Sequence, residues 1–213
     1  MDFRSGQFKL SRRAAMALGA ASLFVGATPA FAQATAPADP SAPVAPPAPA
    51  AAPTAGEGAE LTPVDVPARP VAMMAGKSSW DDGFATVHAA FKSIRDALAK
   101  AGVAERGHAL AVYTQTDDNG FSYQAMIPLA AAPAAGAAAP GDGISWGQSP
   151  AGKALVFPHR DSYENIDGTY EAITAYLDEK NLEARDLFAE KYVADVADSS
   201  DGKLQVDIYV FLK

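Results

Sequence analysis

"GFATVHAAFKSIRDALAKAGVAERGHALAVYTQ", residues 83–115, lies without a gap against "SYENIDGTYEAITAYLDEKNLEARDLFAEKYVA", residues 162–194, when the chain is shifted by 79 positions. Ile94 falls on Ile173, Leu98 on Leu177, Arg106 on Arg185 and Tyr113 on Tyr192. Phe84 falls on Tyr163, Val87 on Ile166, Phe91 on Tyr170 and Val103 on Leu182. Identities are few, but the matched positions are largely the apolar ones. The register also survives past the helical part into the strand that follows, which two unrelated amphipathic helices have no reason to share.

Within each stretch the apolar residues step by three and four. Phe84, Val87, Phe91, Ile94 and Leu98 form one helical stripe, and Tyr163, Ile166, Tyr170, Ile173 and Leu177 repeat it. The stripe is too short for a coiled coil, so each helix is expected to lie on a sheet. Gly102 and Asn181 stand where the helices should stop, as the residues best suited to a left-handed cap. A short apolar strand precedes each helix ("VAMMAG", "KALVFPHR"). A pair follows each: "HALAVYTQ" with "FSYQAMIPL", then "LFAEKYVA" with "LQVDIYVFL". Turn chemistry separates the members of each pair, "TDDNG" at 116–120 and "DSSDG" at 198–202. Each half therefore reads β-α-β-β. Two such units predict an α+β body with antiparallel sheet and two helices on one side.

The rest of the chain frames that body. Residues 1–32 carry a basic start, an apolar run from Ala14 to about Ala27 and the small-x-small close Ala30-Phe31-Ala32, the pattern of an export signal cleaved after Ala32. The run is shorter than the roughly 20 residues of a membrane span, so no stable membrane insertion is expected after cleavage. "SRR" at 11–13 is followed by Ala15 and Met16 rather than bulky apolar residues, which favours the general secretory route over the twin-arginine one. A periplasmic or secreted location follows. Residues 33–69 are mostly Ala and Pro and read as an extended tether. The folded part is expected at 70–213, with repeats at about 70–129 and 153–213 and an Ala/Pro/Gly linker at 130–152.

Removing Arg4, Lys9, Arg12, Arg13 and Asp2 from 17 basic and 25 acidic residues leaves a net charge of −11. Such a body repels phosphate backbones, and no Lys/Arg cluster offsets this, so nucleic acid is not an expected partner. The absence of cysteine excludes disulfides, thiolate metal sites and a cysteine nucleophile. His88, His108 and His159 have no metal-ligand spacing, so neither metal nor cofactor is expected. His159 lies in the turn before the second helix.

In "DLFAEKYVAD", residues 186–195, strand alternation puts Phe188, Glu190 and Tyr192 on one face and Leu187, Ala189, Lys191 and Val193 on the other. A carboxylate between two aromatics is either a solvated edge paired with Lys191 or Arg185, or the working group of an apolar pocket.

"FPHRDSYENIDGTYEAITAYLDEKNL" with "LFAEKY" and "LQVDIYVFLK" resembles the GyrI-like, or bacterial effector-binding, domain of multidrug-responsive transcription activators. Asp161 stands where such domains commonly have Gly, and a signal and tether stand where the activators carry a helix-turn-helix. The resemblance implies a duplicated β-α-β-β unit with an apolar cleft between the repeats. It also implies a buried glutamate ringed by aromatics, which takes bulky, often cationic compounds. By motif position the glutamate is Glu190 and its neighbour Tyr192, with Tyr113 at the matched place in the other half and Phe188 beside them. Tyr123, Trp146, Phe157 and Tyr209, aromatics on or near predicted strands, complete the candidate ligand contacts. Trp80 is expected either to cap the cleft or to anchor its loop. The expected function is capture or sensing of a small hydrophobic or cationic ligand by an exported protein. One branch of the family implies an alternative, hydrolysis of reactive small molecules by Glu190 with Tyr192 or Tyr113. A more distant one is haem binding on a related SOUL-type fold through His159 or His108.

Overall fold

The computed structural model describes residues 60–213. The expected export signal and the tether up to residue 59 lie outside the described residues. Among the described residues no helix is long and apolar enough to cross a membrane.

Eight strands and two helices follow in the order β1 (Val64–Val66), β2 (Pro70–Ser79), α1 (Gly83–Ala101), β3 (Leu110–Thr116), β4 (Gly120–Pro128), β5 (Ile144–Gln148), β6 (Gly152–His159), α2 (Ile166–Lys180), β7 (Ala184–Ala194) and β8 (Gln205–Leu212). The strands form one sheet, β1-β6-β8-β7-β3-β4-β2-β5, with every described pairing antiparallel. This is the expected α+β architecture. The element order β-α-β-β occurs in both halves, as β2-α1-β3-β4 and β6-α2-β7-β8. The two three-strand groups, β6-β8-β7 and β3-β4-β2, meet where β7 pairs with β3.

Two segments differ from the sequence-based boundaries. Residues 64–66, within the expected tether, pair with β6 as an edge strand, Val64 opposite Ala154, and Leu61 N–H donates to Tyr176 Oη at 2.9 Å. Residues 144–148, within the expected linker, form β5 and pair with β2 at the other edge. Both are short strands in Ala-, Pro- and Gly-rich surroundings, so neither shows the period of two over a readable length.

The sheet's two faces are occupied differently. Val87, Phe91, Ile94 and Leu98 of α1 and Ile166, Tyr170 and Ile173 of α2 are buried in one cluster with Ala111, Tyr113, Tyr123, Ala125, Tyr192 and Ile208 from one sheet face. Burying each of the larger aliphatic or phenyl groups contributes about 1.5–3 kcal/mol, so the helix stripe holds each helix down. The opposite face has a smaller cluster of Val71, Val112, Met126, Ala154, Ala189 and Phe211. Both helices therefore lie on one side.

The helix ends repeat the shift of 79. Gly102 (φ 66°) and Asn181 (φ 52°) are left-handed caps. Val103 N–H donates to Leu98 O at 3.0 Å, and Leu182 N–H donates to Leu177 O at 2.9 Å. A glycine at such a position avoids the clash between Cβ and carbonyl that other L-residues meet there. Nothing lies within 4 Å of a Cβ built on Gly102, so only backbone conformation is at stake. Gly102→Ala is expected to lower stability by about 1 kcal/mol, read as a lower urea midpoint with an unchanged slope.

Candidate functional site

Ala111 and Glu190, the residues that the shift of 79 aligns, are partners across the β3–β7 junction. They sit mid-row in a line that crosses the sheet: Phe157, Ile208, Glu190, Ala111, Ala125 and Met74. One member of this row carries a charge. Glu190 faces the helices, as the strand alternation requires, and is 1 % exposed.

Three phenols donate to its carboxylate. Tyr113 Oη and Tyr192 Oη each lie 2.9 Å from Oε2, and Tyr170 Oη lies 2.8 Å from Oε1. Tyr163 Oη stands 3.1 Å from Tyr113 Oη. Tyr113 and Tyr192 are themselves related by the shift, each two residues beyond the Ala111–Glu190 pair. They reach the same oxygen from opposite sides of the junction. Burial first, and the Glu190 charge second, push both hydroxyls well above the ordinary tyrosine value, so they remain neutral donors. An isolated buried carboxylate is costly, and donors of this kind are what offset the cost.

Aromatic rings extend outward from the cluster. Tyr170 meets Phe188 edge-on at 6.1 Å between centroids, Tyr113 meets Phe121 at 5.2 Å, and Phe84 meets Tyr163 at 5.2 Å. In the next row Tyr123, Tyr113 and Phe188 are neighbours, with Gly76 opposite Tyr123. A Cβ on Gly76 would lie 2.6 Å from Tyr123 Oη, so the glycine makes room for that ring.

The other sequence candidates divide by position. Phe157 is buried in the Glu190 row, two strands away, and packs on Tyr176 of α2 at 5.6 Å between centroids. Trp146 belongs to edge strand β5, four strands from β7, about 19 Å at ordinary strand spacing. Its Nε1 donates to Ala138 O at 3.0 Å. Tyr209 is the clearest correction: it pairs with Ala189 and so faces away from Glu190. There its hydroxyl accepts from Lys191 Nζ at 2.9 Å, and Lys191 also pairs with Asp207 at 3.0 Å. Lys191 is therefore no partner for Glu190, which removes the solvated-edge reading. Trp80 Nε1 donates to Asp117 O at 2.9 Å, the anchoring role. His159 is buried with Nδ1 2.8 Å from Thr169 Oγ1 and Nε2 3.0 Å from Ser162 O, so both ring nitrogens are engaged in hydrogen bonds.

Tyr170 and Tyr163 are the site residues that the sequence reading left in the helix stripe. A signal for them was present. The first half has Phe91 and Phe84 at the matched places, so extra hydroxyls occur in the half that carries the carboxylate.

His88 of α1 lies beside the cluster, stacked on Phe84 at 3.9 Å and edge-on to Tyr192 at 5.1 Å. Burial lowers its pKa from the ordinary 6.5; Asp195 opposes that shift and Arg95 adds to it.

A family model described as GyrI-like small molecule binding domain matches residues 60–213. The C-terminal domain of EcmrR is similar over 72 % of this chain and 97 % of that one, at 12 % identity and TM-score 0.60. A longer EcmrR chain in a complex with DNA is similar at 12 % identity and TM-score 0.58 over 72 % of this chain, which spans 57 % of that chain's length. A hydrolase from Listeria innocua is similar at 10 % identity and TM-score 0.51, over 71 % of this chain and 91 % of that one. At such identities these likenesses show the fold alone. No curated protein matches the chain.

Tyr170→Phe, which installs the residue of the matched position, is expected to cost about 2 kcal/mol by removing a donor from a buried charge, measured by urea unfolding. A second expectation concerns pH. Between pH 6.5 and the lower folded-state value, the unfolded chain binds a proton at His88 that the folded chain does not, so stability falls as pH falls through that window. His88→Phe should flatten the difference in unfolding midpoint across it.

Proposed function

The chain belongs to the GyrI-like family of small-molecule-binding domains, and we propose that it captures or senses a hydrophobic cation after export. The observation that carries this reading is a carboxylate 1 % exposed among three tyrosine hydroxyls. Such a group is a poor choice for stability alone, because a well-packed apolar residue of similar volume serves a core at least as well. It is a good choice for selecting positive charge, since the attraction is strong where water is excluded. Phenol faces around it add cation–π attraction of roughly 0.5–2 kcal/mol each.

Binding in this reading sets the ligand's charge against Glu190 and its apolar body against the aromatic rings around it. Phe84 and Phe188, both half-buried, are the rings placed to meet that body. The pattern of residues 1–32 supports export, and the acidic balance of the remainder suits attraction of cations over distance.

Glu190 with Tyr113 and Tyr192 also has the hydrogen-bonding geometry of a base with acidic partners, which keeps hydrolysis as the second reading. Accumulation of product beyond one equivalent from a reactive electrophile, followed by mass spectrometry, would favour it.

Crystal violet and its neutral leuco form provide the test of the binding reading. The cation is expected to raise the unfolding free energy by about 2.7 kcal/mol at a hundredfold excess over its dissociation constant. Glu190→Gln should weaken crystal violet about tenfold or more, an electrostatic loss of about 1.4 kcal/mol or more, while leaving the leuco form little changed. Equal weakening of both would remove the charge role.

A further inference from the structure

His88 brings a second polar group to the edge of the site. Its ring is held by Phe84 in a stack and by the edges of Tyr192 and Phe91, at 5.1 and 5.7 Å between centroids. Nδ1 lies 3.2 Å from Asp195 Oδ1. A neutral imidazole next to a carboxylate keeps its proton on the nitrogen that faces it, which leaves Nε2 as a bare acceptor. Nε2 is buried and has no hydrogen-bond partner among the described residues. An unmatched buried acceptor lowers stability and calls for a partner that arrives from outside the fold.

The charged and titratable groups facing this ring are Asp195 beyond β7, Arg95 on the same helix and Tyr192 on β7. Burial outweighs the effect of Asp195 and keeps the imidazole neutral at pH 7. Tyr192 links the two acceptors, since its ring meets His88 and its hydroxyl reaches Glu190 at 2.9 Å.

We infer that His88 Nε2 is a second polar contact for the ligand of Glu190, and that this ligand is a protonated amine on an aromatic body rather than a quaternary onium ion. The inference rests on Glu190 serving as the ligand's countercharge. A carboxylate answers to any positive charge. A neutral imidazole lone pair answers only to a hydrogen carried by that charge, so the pair selects for protonated nitrogen. A quaternary nitrogen offers equal charge but leaves Nε2 unmatched in the complex, as it is without ligand.

The probes are chlorpromazine, a protonated tertiary amine, and its N-methyl quaternary salt, titrated calorimetrically into the full chain at neutral pH. Chlorpromazine is expected to bind about tenfold more tightly or better, the factor that about 1.4 kcal/mol supplies. His88→Phe keeps an aromatic ring on Phe84 while removing Nε2; it should bring the two affinities together by weakening chlorpromazine alone. Glu190→Gln should weaken both. Equal affinities in the unsubstituted chain, or loss of both ligands in His88→Phe, would overturn the inference and leave the Glu190 reading intact. Binding of the quaternary salt alone would overturn the inference, and failure of both probes to bind would overturn both readings. Nitrogen NMR of the unsubstituted chain gives a check independent of how the variant folds. The His88 Nε2 resonance should shift with chlorpromazine and not with the quaternary salt, and an unmoved resonance with bound chlorpromazine would sink the assignment.

Discussion

A carboxylate taken out of water must be given its hydrogen bonds back, and the arrangement around Glu190 follows from that requirement. Two donors come from β3 and β7 and the third from α2, with oxygen–oxygen distances of 2.8 and 2.9 Å. The cluster therefore ties the central strand pair to a helix through the interior. A shift of α2 by a fraction of a turn would break the Tyr170 bond and strand part of the charge. Packing density alone would tolerate more freedom in the helix position than this network does.

The two halves supply a matched frame, and a few substitutions make it unequal. Ala111 and Glu190 face each other at the junction, one a methyl group and the other an acid. Tyr113 and Tyr192 approach from equivalent places and share one oxygen. Phe91 and Phe84 keep the first half apolar where Tyr170 and Tyr163 add hydroxyls in the second. Such a division concentrates polarity on one side of the junction and leaves the other as apolar wall, which suits a ligand with a charged end and a greasy body. His88 adds a smaller polar mark on the wall side.

Much of this was legible because period and register carry their own checks. The stripe Phe84 to Leu98 could be compared with Tyr163 to Leu177, and the caps Gly102 and Asn181 fell at matched places. Alternation in "LFAEKY" put Glu190 and Tyr192 on one face. The same rule applied to β8 separates Tyr209 from Ile208, the partner of Glu190, but only once the β7–β8 register is known, and register is a tertiary property. Trp146 was misplaced for a related reason, since nothing local says at which edge β5 attaches. Tyr170 was read as core because a tyrosine on an apolar stripe has the same period whether its hydroxyl is idle or bonded. His88 gave no signal of its own; its stacking and its unmatched nitrogen exist only in the folded chain.

The short edge strand β1 has a consequence for the molecule among its own copies. Val64–Val66 is bounded by Pro63 and Pro67, neither of which has an N–H to offer a neighbouring chain. A second molecule trying to extend the sheet laterally past β1 would find a ledge of three residues and then two blocked positions. An eight-stranded antiparallel sheet is otherwise a ready template for stacking into fibres, and this proline-framed border is a barrier to such growth from that side.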